Sequence, residues 1–253
     1  MRKHTDNACF SALLLPLCGL LILGTLLWLN PIPADDTATR YAPMAQAFAE
    51  GDWLYAFHPH SGVFFPALSG GIAWLTGLDG FRACQVAALL LWATAALPLY
   101  GIVLKLWGDR RIALLAELLY LAASHLQRYV YDGLRDNGRS LGLFLLVLGL
   151  LMFYESRRSW RAVPMSAVGA ALLTMLRVDG PLIAAAGILC FIVWDITGNH
   201  RNLLRCAALL ILTTVLISPQ LYLNDRWSGY PVPNSRYALI LERFGIPGWG
   251  DGI

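Results

Sequence analysis

Charge is the first thing this chain has little of. Asp, Glu, Lys and Arg make up 14% of its 253 residues, against about 25% in soluble domains. The net charge of +3 is too small, and the basic residues too scattered, for a nucleic-acid partner. Cysteine is sparse as well. Cys9, Cys18, Cys84, Cys190 and Cys206 show neither metal-ligand spacing nor a disulfide framework. They read as small buried hydrophobes. In place of charge the chain carries 57% hydrophobic residues and a mean hydropathy of +0.57. These gather into blocks approaching the roughly 17–25 residues that cross a bilayer, which excludes an ordinary soluble domain and predicts an all-α polytopic membrane protein.

The blocks fall near 10–29, 81–106, 112–127, 141–154, 162–176, 181–194 and 203–222, giving about seven spans. The first could be a signal peptide cleaved after Ala34. Its apolar core of about 20 residues exceeds the usual 7–15, which favours an uncleaved helix. Residues 63–78 are apolar but short and glycine-rich, an eighth span or an interfacial helix. Basic residues decide between these, because they collect in cytoplasmic loops. With seven spans and the N-terminus inside, Arg2/Lys3, Lys105/Arg110/Arg111, Arg157/Arg158/Arg161 and Arg201/Arg205 all lie inside. An eighth span would move the later clusters outside, so 63–78 reads as interfacial. Most carboxylates, among them Asp35, Asp36, Asp132, Asp136 and Asp179, then share the outer face.

Those outer loops hold the candidate chemistry. Asp35 and Asp36 are adjacent carboxylates just past the first span, where packing gives no reason for a pair. After them Tyr41, Met44, Ala45 and Phe48 recur at helical spacing, which predicts an amphipathic helix on the membrane surface. One aspartate can serve as its N-cap; a cap accounts for one acid and not for two. His58 and His60, at i and i+2, either bind a metal or simply make hydrogen bonds. The second outer loop, Arg128 to Arg139, alternates Asp132, Arg135, Asp136 and Arg139, a plus–minus pattern that reads as a solvated loop of self-paired surface ions. Arg177 ends a span beside Asp179. It is either a fork for two phosphate oxygens or a snorkelling arginine paired with that aspartate. Glu117 lies inside a span nearer the cytoplasmic end, where we expect it protonated or paired between helices.

In order along the chain these pieces resemble the GT-C membrane glycosyltransferases. The likeness is to the branch related to protein O-mannosyltransferases and to the aminoarabinose transferases acting on lipid A. It rests on Asp35-Asp36 followed by Arg40-Tyr41 and a helix ending at Gly51-Asp52, then HPHSGVFFP from His58 to Pro66. Arg135-Asp136, LTMLRVDG from Leu173 to Gly180, and Ser228-Gly229-Tyr230-Pro231 continue it. Ser61 and Gly62 stand where relatives are frequently aromatic and proline.

The resemblance implies a GT-C-like module over 1–222, whose first outer loop (30–80) carries surface helices, and an outer segment over 223–253. Since relatives usually continue with further spans, the chain reads as a short or truncated form. Transfer of a sugar from a polyprenyl-phosphate donor to a lipid, glycan or protein acceptor is implied, at the outer face of a bacterial inner membrane. Asp35 or Asp36 would be the base, with Asp35 taking the position of the first acid of the family's pair. Arg177 and Arg135 would face the departing phosphate. Arg40, Tyr41, His58, His60, Arg139 and Asp179 would help bind substrate. Asp35, Asp36, Asp136 and His58 are candidate holders of a divalent cation, Mg or Mn. The rival readings are a flippase for lipid-linked sugars and a non-catalytic membrane scaffold.

Overall fold

Apolar runs with so few interior breakers have one way to satisfy their backbone in lipid, which is to coil into helices. The computed structural model of the chain describes residues 2–29, 34–57, 62–155, 160–197, 203–233 and 235–245. Every regular element among them is a helix. In order these are α1 (Arg2–Leu29), a π-helical turn (Thr37–Tyr41), α2 (Ala42–Glu50), α3 (Trp53–Ala56), α4 (Phe64–Thr76), α5 (Gly80–Trp107) and α6 (Arg110–Ala122). Then follow α7 (Ser124–Tyr131), α8 (Asp136–Glu155), α9 (Ala162–Leu176), α10 (Gly180–Thr197), α11 (Leu203–Ser228) and α12 (Ser235–Arg243).

Among the described residues four helices are long and apolar enough to cross a membrane: Ala12–Leu29 within α1, α5, α8, and Leu204–Ser228 within α11. The seven expected spans are therefore not all matched by helix length. Blocks 162–176 and 181–194 form α9 and α10, which are apolar over shorter stretches. The 15 residues of α9 cover about 22 Å at 1.5 Å per residue, less than the roughly 30 Å hydrocarbon core. Block 112–127 is not one helix. It breaks at Ala123, whose backbone is extended (φ −66°, ψ 107°), and Gln127 Nε2 donates to the Leu121 carbonyl at 2.8 Å beside the break. At 13 residues, about 20 Å, α4 is also too short to cross alone.

α5 is the central post. In its apolar window 67% of residues are buried inside the protein, against 22% for the windows of α1 and α11, which leaves those two an outer, lipid-ready face. α8 packs on α5 and α9. The α8–α9 seam is backbone to backbone, since a Cβ at Gly169 would stand 2.4 Å from Leu146 N. Small residues allow such close approach in membrane bundles. At one end of the bundle an ion pair joins Lys105 and Glu155, near the C-terminal ends of α5 and α8. Asp109 caps α6 by accepting from Arg111 N at 2.7 Å. The opposite end holds the starts of α5, α8 and α10, and here the first long loop folds in.

That loop folds onto the bundle. The apolar face of α2, with Met44, Ala45 and Ala47, is buried against α4 and α5. The reason is two glycines that admit it: a Cβ at Gly70 would meet Phe48 at 2.4 Å, and one at Gly80 would meet the Ala42 carbonyl at 2.1 Å. Of the cysteines, Cys84 and Cys206 are buried as expected, but Cys18 and Cys190 lie exposed on apolar helices. The side chain of Cys9 is outside the described set.

Candidate active site

Three loops and one short helix meet at the end of the bundle where α5, α8 and α10 begin. The first loop arrives through the π-helical turn. Thr37 is fully buried, and its hydroxyl donates to the carbonyls of Asp132 and, at 3.3 Å, Gly133. This stitches the first loop to the second. The Tyr41 ring meets Phe65 edge-on at 5.4 Å and carries the Arg135 guanidinium over its face at 5.5 Å, a cation–π arrangement. Asp36 occupies the N-cap position of the turn, yet its side chain makes no capping hydrogen bond. Asp35 is exposed, and its backbone carbonyl accepts from Thr39 Oγ1 at 2.8 Å. Capping therefore does not explain the Asp36 carboxylate.

The second and third loops are joined by charge. Arg177 Nη1 donates to Asp136 Oδ1 at 2.7 Å, its Nε lies 3.5 Å from Asp179 Oδ1, and Arg139 Nη2 lies 2.7 Å from Asp179 Oδ2. The result is a chain running Asp136, Arg177, Asp179, Arg139. The self-pairing read from sequence for the second loop describes Arg128 and Asp132 (3.4 Å), while Asp136 and Arg139 reach across to the third loop. Arg177 touches Asp179 but has Asp136 as its nearer partner. The third loop is tight because Gly180 permits it: a Cβ there would lie 1.7 Å from the Leu173 carbonyl.

Between these loops lies a cavity of about 620 Å³. Asp36, Arg40, Tyr41, Arg135, Asp136, Arg177 and Asp179 line it, with Leu134, Val178 and Leu182, and α12 closes a further side with Arg236, Tyr237 and Ile240. Of the candidates read from sequence, Arg139 reaches the cavity only through Asp179, and Asp35 is not on its wall. His58 and His60 lie outside the described residues. The contribution of α12 was missed. Its one signal is Ser235-Arg-Tyr-Ala-Leu-Ile-Leu-Glu-Arg243, a short amphipathic pattern after two prolines. Glu117 is buried in α6, and among the described residues neither carboxylate oxygen has a hydrogen-bond partner. It is not on the cavity wall.

The cavity's two tyrosines are held protonated. Burial pushes the Tyr41 phenol above its ordinary 10.0; Arg135 pulls against this, and Asp36 and Asp136 add to it. Burial and then Asp179 push Tyr237 the same way, and its hydroxyl donates to the Val178 carbonyl at 2.7 Å. Among the described residues no three His, Cys, Asp or Glu side chains gather as a metal set, and Asp136, a candidate cation ligand, is engaged by Arg177. Chemically, the cavity offers carboxylate acceptors beside several guanidinium donors, the equipment for moving a proton while neutralising an anion.

Fold and site together define an all-helical, multi-pass membrane protein with an arginine-rich cavity at one end of its bundle. Among known proteins, the chain is similar to undecaprenyl phosphate-alpha-4-amino-4-deoxy-L-arabinose arabinosyl transferase of Pectobacterium carotovorum subsp. carotovorum (strain PC1). They are 31% identical over 117 residues, which is 41% of this chain and 20% of that protein. The match thus spans about a fifth of the relative's length. No family model matches the chain, and no solved structure matches it.

Proposed function

We propose that this protein transfers a sugar from a polyprenyl-phosphate donor to a lipid, glycan or protein acceptor, at the outer face of a bacterial inner membrane. The observation that carries the reading is convergence. Seven residues singled out from three separate stretches of sequence (Asp36, Arg40, Tyr41, Arg135, Asp136, Arg177, Asp179) line one cavity. The similarity to an arabinosyl transferase supports the reaction class.

In the mechanism, an acceptor hydroxyl attacks the anomeric carbon of the sugar. Its proton passes to a carboxylate, and Asp36 is the better placed of the acidic pair because it faces the cavity. The bond from the anomeric carbon to the phosphate oxygen breaks, and its electron pair leaves with polyprenyl phosphate. Arg40 and Arg135 face that growing charge, which preorganised donors stabilise more in the transition state than in the bound donor. Arg177 is held between Asp136 and Asp179, so its main task is to fix the second and third loops, with the rest of its fork turned to substrate. Tyr41 supplies a rigid floor on which Arg135 rests.

Reconstituted protein given an undecaprenyl-phosphate-linked radiolabelled sugar and crude envelope acceptors tests the reaction class. We expect undecaprenyl phosphate to be released and label to appear in acceptor. Movement of the intact donor across the bilayer, with the sugar still attached, would favour the flippase and contradict the proposal.

A further inference from the structure

Thr37 is a polar residue fully buried between two exposed neighbours, Asp36 and Ala38. A buried hydroxyl needs an acceptor, and Thr37 has two. It donates to the carbonyl of Asp132, with that of Gly133 as a second acceptor at 3.3 Å. These carbonyls lie at the end of α7, where the last acceptors of a helix have no partner within it. The carbonyl just before them, of Tyr131, accepts from Gln85 Nε2 of α5 at 2.8 Å, and Gln85 is itself buried. Gln85 Oε1 in turn accepts from Arg82 Nη1 at 3.1 Å, and the same Nη1 donates to the Leu27 carbonyl of α1 at 2.7 Å. Side chains from two elements thus hold three successive carbonyls, and the second loop is fastened to the bundle at its root.

The Thr37 methyl is seated as closely as its hydroxyl. A Cβ at Gly133, whose φ is +66°, would stand 3.1 Å from Thr37 Cγ2 and 3.3 Å from Cys84 Cβ. Four residues after Thr37, the Tyr41 ring carries the Arg135 guanidinium. The π-helical turn is therefore clasped to the second loop through its first residue and its last. Neighbouring Cα atoms are about 3.8 Å apart, so fixing Thr37 fixes the backbone from which Asp36 reaches the cavity. We propose that Thr37 is a positioning residue, whose hydroxyl bond to the end of α7 sets the place of the Asp36 carboxylate in the cavity. The proposal rests on the sugar-transfer reading, in which Asp36 is the base. Thr37 is not on the cavity wall, so its effect on proton transfer passes through its neighbour.

A double-mutant cycle tests this, read as release of undecaprenyl phosphate from an undecaprenyl-phosphate-linked sugar by the reconstituted full chain with crude envelope acceptors. Thr37→Val keeps the shape and removes the hydroxyl, while Thr37→Ser keeps the hydroxyl. We expect Thr37→Val to lower kcat about tenfold, since a small misplacement of a reacting group is enough for such a loss, with KM for the donor unchanged. Thr37→Ser should recover most of that loss. In an Asp36→Asn background Thr37→Val should cost nothing further, because residues that act as a unit are not additive. Thr37→Ala, small enough to admit a water beneath the two carbonyls, takes the place of Thr37→Val in the cycle if the valine does not fold, with the same outcomes expected. Wild-type kcat in the variant lacking the hydroxyl, or an equal loss in the Asp36→Asn background, overturns the inference and leaves the sugar-transfer reading standing. A wild type that releases no undecaprenyl phosphate overturns that reading and the inference with it.

Discussion

At the residue scale, neighbouring side chains are separated by where the backbone aims them. Asp35 and Asp36 look equivalent in sequence and both are exposed, but Asp36 lines the cavity and Asp35 does not. Successive residues of a helix point about 100° apart, and only the tertiary fold decides which of the two directions meets the second and third loops. The cross-loop pairs were equally hidden, because the partners Asp136 and Arg177 are 41 residues apart. Replacing Arg177 with Gln leaves Asp136 and Asp179 facing each other with less compensation. We expect a stability loss of about 1–2 kcal/mol, since the pair is partly solvated, with a larger fall in donor binding; thermal melts and binding titrations check both. Tyr41 gives a pH dependence. Its raised pKa means the folded state keeps the phenol proton after the unfolded chain has lost it. That contribution is whole below about pH 10, the unfolded value, and is lost as pH rises through the folded one. The thermal midpoint of wild type should therefore drop more steeply above pH 10 than that of Tyr41→Phe, and equal slopes would argue against burial of the phenol.

Elements were legible in proportion to how far their pattern decides their surroundings. The long apolar runs 10–29, 81–106, 141–154 and 203–222 correspond to α1, α5, α8 and α11. Their composition leaves little alternative to a bilayer-length helix. The 112–127 run was misread as continuous because hydropathy does not register the turn at Ala123. The amphipathic stretch at 41–48 is helical as its spacing predicts, over the π-helical turn and α2. A hydrophobic stripe marks a face that will be buried and does not identify its partner; Gly70 and Gly80 supplied one. The third loop depends on Gly180, where a methyl would meet the backbone carbonyl of Leu173 and no side-chain movement can relieve it. We expect Gly180→Ala to cost about 3 kcal/mol or more and to lower the thermal midpoint in detergent. Loss of donor binding should accompany it, because Arg177 and Asp179 stand in that turn. A melt identical to wild type would show that the turn is looser than described.

At the scale of the whole molecule, the cavity lies at one end of the helical bundle. We propose that the cavity end faces outward; arginines stand at both ends, Arg110 and Arg111 at one and Arg135 and Arg177 at the other, so labelling from either side of the membrane decides the orientation. In a background without native cysteines, Arg128→Cys should react with a membrane-impermeant maleimide on intact spheroplasts, and Arg110→Cys should react only after permeabilisation. The reverse pattern would invert the proposed topology. Chemistry at the cavity is tested most directly by comparing turnover of an undecaprenyl-phosphate-linked sugar by wild type, Asp36→Asn and Asp35→Asn. Positioned general bases contribute about 10²–10⁴ in rate, so Asp36→Asn should lose at least about a hundredfold in release of undecaprenyl phosphate. Asp35→Asn, off the cavity wall, should lose far less. Undiminished turnover by Asp36→Asn would contradict the central claim.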